Sequence, residues 1–201
     1  MKNIAILIYP NVEVLDFAGP YEVFTTGSRV AVKRGVDISF NVFTVGMTKE
    51  LIQARAGLRV LPDFSFDEHP AIDVLIVPGG VVDTELRNEY LLEWINKVDI
   101  ATEITASICT GAFLLAKADV LKTSRVTTHW EDIEDLRTMF INLEVVHDVR
   151  WVDEGKNITS AGISAGIDMS LHLLERLYGR ELAEATAKQL DFDWCENVFD
   201  I

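Results

Sequence analysis

With 201 residues, 49% of them hydrophobic and 25% charged, the chain can build one well-cored domain, expected to span 1–201, and is too apolar for disorder. A formal net charge of −14 opposes contact with a phosphate backbone, so no nucleic-acid partner is expected. Two cysteines in unrelated contexts, Cys109 and Cys195, form neither a disulfide framework nor a metal-binding pair, which suits a reducing cytoplasmic setting.

The chain opens on an apolar run, Ile4 to Tyr9, closed by Pro10. It is too short for a signal segment or a membrane span and reads as a buried first strand over Asn3–Tyr9. Gly19 and Pro20 mark the start of a helix expected over Pro20–Lys33. A second strand follows over Asp37–Val45, and then a small hairpin from Leu51–Ala54 and Leu58–Leu61. Ile72–Val77 is β-branched and almost free of polar residues, as in a strand buried on both faces, and it ends in Pro78-Gly79-Gly80. Leu91, Leu92, Ile95 and Val98 share one face of a helix over Glu89–Ile100. The short apolar and β-branched run that opens at Glu103 then turns at Cys109-Thr110-Gly111 into a helical segment through Ala118. A short strand at Arg125–Thr127 precedes His129-Trp130 and an acidic helix over Glu131–Phe140. Glu144–Val152 is expected to be extended or bent, Ile158–Ala161 to be the last core strand, and helices to cover Ile167–Tyr178 and Glu181–Leu190. Alternating strands and helices indicate an α/β doubly wound domain with a mostly parallel sheet.

Ligands of such sheets bind beyond the carboxyl ends of the strands. Asp16, Gly79, Gly80, Cys109, Thr110, His129 and Ser164 all follow strands. On its own segment, Cys109 is equally a small buried hydrophobe or a nucleophile at a strand-to-helix corner, where the helix end would let the thiol ionise near neutral pH. The convergence of the other loops favours the nucleophile. Asp16 beside it suits a proton shuttle, although a helix cap explains it locally. Gly79, Gly80 and Thr110 are candidates for aiming N–H groups at an oxyanion or water, although a tight strand-to-loop turn also explains the glycines and the two roles can coexist. His129 is a candidate for orienting the thiolate or supplying an acid, although a lone histidine is more often structural. Gly162-Ile-Ser164-Ala-Gly166 matches a serine-nucleophile pattern, but the downstream histidine, His172, lies on the same helix and points away. Cys195 lacks a corner. No metal-ligand spacing and no G-x-G-x-x-G is present, so no metal and no cofactor are expected.

These motifs together resemble the DJ-1/PfpI superfamily: Ile4–Tyr9, Leu15–Pro20, Asp73–Gly80, Ser107–Gly111, Val126–Trp130 and Thr159–Asp168, in order along nearly the whole chain. The resemblance implies a flavodoxin-like fold akin to class I glutamine amidotransferases, a homodimer and a Cys109 nucleophile. Other branches usually carry glutamate in place of Asp16, and often histidine in place of Thr110. Asp16 with Cys109-Thr110 looks like the isocyanide hydratase branch, and also like the sensor domains of AraC-type regulators. The expected activity is thiolate attack on an isocyanide carbon and hydration to an N-formamide, with a small molecule as substrate and no membrane association. A ligand-sensing domain, a glyoxalase or hydrolase, and a redox-stress protein are the alternatives.

Overall fold

The computed structural model describes residues 1–122 and 124–197. Its strands and helices run β1 (Lys2–Leu7), α1 (Val14–Lys33), β2 (Phe40–Gly46), β3 (Ile52–Gln53), β4 (Arg59–Val60), β5 (Phe64–Ser65), β6 (Val74–Val77), α2 (Glu89–Ala101) and β7 (Ile104–Ile108). They continue with α3 (Gly111–Lys117), β8 (Arg125–Val126), α4 (Ile133–Met139), β9 (Glu144–Val145), β10 (Trp151–Glu154), β11 (Asn157–Ser160), α5 (Ala165–Tyr178) and α6 (Arg180–Gln189).

One seven-stranded sheet in the order β10-β11-β7-β6-β1-β2-β5 organises the chain. Its pairings are parallel except for β10 against β11. The expected doubly wound α/β architecture is therefore present. Ile4 to Leu7 of β1 and all four residues of β6 are fully buried, because central parallel strands are covered on both faces. Helices α1, α5 and α6 pack on one another, as do α2 and α3. The chain leaves β1 towards β2 on one side and returns to β6 on the other. That reversal opens a crevice beyond the carboxyl ends of β1 and β6.

Three element expectations need correction. Helix α1 begins at Val14, six residues before Pro20, because the Glu13 carboxylate accepts from the Val14 N–H and caps the end. Pro20 lies inside the helix and removes only the bond that its N–H would have made to the Asp16 carbonyl. The stretch Glu144–Val152 is two strands, not one. Asp148 adopts φ +59° between them, and β9 pairs with β8 in a sheet of its own. The acidic helix begins only at Ile133, after a 3₁₀ turn over Trp130–Asp132. No expectation covered β5, which pairs with β2 over two residues. No helix among the described residues is long and apolar enough to cross a membrane.

The tail after α6 docks through Asp168, a fully buried carboxylate on α5. Asp168 pairs with Arg150 and accepts the Cys195 N–H at 2.8 Å, while its carbonyl accepts the Trp194 indole at 3.1 Å. The Arg180 guanidinium lies over the Trp194 ring at 4.4 Å. Asp168→Asn is expected to lower unfolding stability by about 1–3 kcal/mol, since it strips Arg150 of its countercharge. Urea titration followed by tryptophan fluorescence checks this, with the loss expected to be smaller in an Asp168→Asn/Arg150→Met chain.

Candidate active site

Cys109 occupies the corner between β7 and α3 with φ +55°, a left-handed conformation unusual for a residue with a side chain. Two bonds hold it there: its N–H donates to the Ser160 carbonyl at 3.2 Å, and its carbonyl accepts the Thr128 hydroxyl at 2.7 Å. The corner is tight because α3 starts against the end of β6. A Cβ on Gly111 would lie 2.1 Å from the Val77 carbonyl oxygen. The thiol is nearly buried, and it lines a cleft of about 1030 Å³.

Asp16 enters from the first turn of α1 and is fully buried. Its Oδ2 accepts the Gly79 N–H at 3.0 Å, while Oδ1 has no partner among the described residues. A buried carboxylate oxygen without a donor is costly, so the group tends to hold a proton. Burial raises the Asp16 carboxyl to about 7, with the Gly79 N–H opposing, Glu13 adding to the rise and Arg55 opposing it. The same environment corrects the expectation of a thiol ionised near neutrality. Burial pushes Cys109 up to about 12, the Asp16 charge adds to it, and the Thr110 N–H pulls the other way. Desolvation plus a neighbouring anion outweighs the donors at the short helix's start. Burial and the Asp16 charge thus both favour the thiol over the thiolate.

The expected use of the glycine N–H groups is also corrected. Gly79 donates to Asp16, and Gly80 donates to the Thr110 hydroxyl at 2.9 Å, which in turn donates to the Gly80 carbonyl. Both N–H groups are thus engaged in holding the site's own residues. Thr110 is the residue whose polar groups favour the ionised sulfur. The glycines matter for closeness: a Cβ on Gly79 would stand 2.6 Å from the Thr110 nitrogen.

His129 caps the 3₁₀ turn, with Nδ1 3.3 Å from the Asp132 carboxylate. No hydrogen bond among the described residues joins it to Cys109. Sequence reasoning missed Gly162, where an added Cβ would meet the His129 Cδ2 at 2.3 Å and the Cys109 Sγ at 3.0 Å. The ring and the sulfur therefore crowd the same point, and only glycine fits between β11 and α5 there. Its place in the Gly162–Gly166 motif was the available signal. Ser164 is not near an acid–base partner: its hydroxyl accepts from Arg150 at 3.3 Å, and His172 pairs with Asp153 at 2.7 Å. Cys195 is exposed in the docked tail. Among the described residues no cluster of His, Cys, Asp and Glu is arranged to hold a metal.

The profile of the DJ-1/PfpI family matches residues 2–176. The chain belongs to the DJ-1/PfpI family. It is 32% identical to an isonitrile hydratase of Pseudomonas putida over 94% of this chain and 78% of that protein. It is 26% identical to the HTH-type transcriptional regulator GbdR of Pseudomonas aeruginosa, a match over 99% of this chain but only 53% of the regulator's length. A ThiJ/PfpI family protein from Pseudomonas syringae superposes with a TM-score of 0.84 at 25% identity, over 99% of this chain and 78% of that one. Members of this family thus include both named enzymes and regulators.

The coupling of the two acids predicts a measurable sign. In a Cys195→Ser background, Asp16→Asn removes the charge that raises the thiol, so the ultraviolet titration of Cys109 shifts to lower pH. An unchanged or higher midpoint would mean that the carboxylate does not act on the sulfur.

Proposed function

We propose that this DJ-1/PfpI protein is a cysteine-dependent enzyme that hydrates an isocyanide to an N-formamide. The observation that carries the reading is a buried carboxyl with one bare oxygen, poised near neutrality, that acts electrostatically on the thiol at the cleft floor. A resting thiol paired with such an acid suits a substrate that needs a nucleophile and a proton in the same step. The similarity to a protein named isonitrile hydratase points the same way.

In this mechanism Asp16, as carboxylate, takes the Cys109 proton while sulfur attacks the terminal isocyanide carbon. The C–S bond forms, and the carbon's lone pair collects the proton back from Asp16, leaving a neutral thioimidate. Water then adds to that carbon, the C–S bond breaks, and sulfur recovers a proton as the N-formamide leaves. One water is consumed and no oxidant or reductant is needed. Splitting the hydration through a covalent intermediate lowers each barrier. The Thr110 N–H, which favours the ionised sulfur, assists while negative charge passes through that atom.

The cleft supports an uncharged substrate. Asp83, Glu131, Asp132 and Asp135 line it, and its arginine, Arg55, is engaged by Glu13 at 3.3 Å. An anionic substrate meets repulsion there; a neutral isocyanide does not.

The regulator match favours a second reading, in which the same cleft senses a small ligand without turning it over and acts through a separate partner. A homodimer belongs to both readings. An isocyanide turnover assay separates them. Wild type is expected to form the N-formamide, Cys109→Ala to form none, and Asp16→Asn to be slower by about a hundredfold or more. Turnover by Cys109→Ala would end the covalent mechanism. Ligand binding without turnover in wild type would establish the sensor.

A further inference from the structure

Tyr9 lies two residues beyond the end of β1 and is 1% exposed. A buried phenol needs a partner for its hydroxyl. Tyr9 donates to the Pro78 carbonyl at 2.8 Å. That carbonyl belongs to the same planar peptide unit whose N–H, on Gly79, donates to Asp16 Oδ2 at 3.0 Å. The hydroxyl, the peptide and the carboxylate form one chain of hydrogen bonds.

We propose that Tyr9 is a positioning residue for Asp16, its hydroxyl fixing and polarising the one peptide unit that holds the carboxylate. Hydrogen bonds in series strengthen one another in a dry interior, so a donor on the carbonyl makes the N–H at the far end a better donor. Rotation of the planar unit moves both ends together, so the Tyr9 bond also fixes where the Gly79 N–H points. The neighbouring peptide is held in the same way: the Glu13 N–H donates to the Gly79 carbonyl at 2.9 Å, and the Gly80 N–H donates to Thr110. Any buried acceptor would satisfy a phenol. This one is the back of the group that binds the proton shuttle. Tyr9 itself stays protonated, since burial and the nearby acids hold its hydroxyl well above the usual phenol range.

The proposal rests on Asp16 as the proton carrier of the reaction above, but its test does not depend on turnover. Protein labelled with ¹³C at aspartate carboxyls reports the Asp16 titration directly, with Asp16→Asn assigning the signal. The charged or titratable groups acting on Asp16 are Glu13 at the cap of its own helix, Arg55 from the turn between β3 and β4, Cys109 from the elbow, and Tyr9. Tyr9→Phe weakens the Gly79 donor, so the Asp16 midpoint is expected to move up by about half a pH unit. The rising limb of kcat/KM against pH is expected to move with it, with KM little changed. If Tyr9→Phe does not fold, 3-fluorotyrosine at residue 9, a stronger donor, is expected to move the midpoint down. A midpoint equal to that of wild type in the folded variant, even with reduced activity, would leave Tyr9 as packing alone. If wild type hydrates no isocyanide, the proposed function fails while the carboxyl titration still decides the role of Tyr9.

Discussion

Two acids buried together cannot both ionise, and most of the site's construction serves that constraint. A charge on Asp16 raises the cost of one on Cys109, and burial penalises either. The protein meets this with backbone groups rather than with a countercharge. Of the cations, Arg55 acts on Asp16 only after burial, the Gly79 N–H and Glu13, and Glu13 engages it. The stabilising dipoles therefore come from peptides that must be held still, and holding them still takes a fold.

The sheet supplies that rigidity. The peptides on either side of Gly79 each receive a hydrogen bond on the carbonyl and give one from the nitrogen. Their four partners come from the end of β1, from Asp16 and Glu13 at the start of α1, and from Thr110 after β7. No segment could make this arrangement alone. Parallel strands β1, β6 and β7 lie side by side, so the loops that follow them are brought within hydrogen-bond reach at one sheet edge. Glycine at 79, 111 and 162 is the local condition, because a methyl group at any of them would overlap backbone, ring or sulfur.

The parts legible in the sequence are those decided by local pattern. The apolar runs of β1 and β6, the amphipathic face of α2 and the order of strands and helices follow from periodicity and length. The corner at Cys109 was legible because a strand run, a Cys-Thr-Gly turn and a helical run are adjacent. The start of α1 was not: Gly19-Pro20 is a strong local start signal, yet the Glu13 cap and the burial of Phe17, seven and three residues earlier than Pro20, prevail. The protonation state of Cys109 was illegible for a different reason. A helix start and an acid beside the thiol are visible in sequence, whereas the desolvation depends on what the fold stacks around the sulfur. The N–H groups of Gly79 and Gly80 went astray likewise, since their acceptors lie 63 and 30 residues away.

The docked tail has a consequence for the sheet itself. Strand β10 is an outer strand, and such strands leave unpaired peptide groups that can recruit another chain. The side-chain amide of Asn197 accepts from the Trp151 N–H at 3.3 Å and donates to the Trp151 carbonyl at 2.7 Å, as a neighbouring strand would. It also accepts the Arg150 N–H at 2.7 Å. One asparagine thus closes the first rung of that ladder.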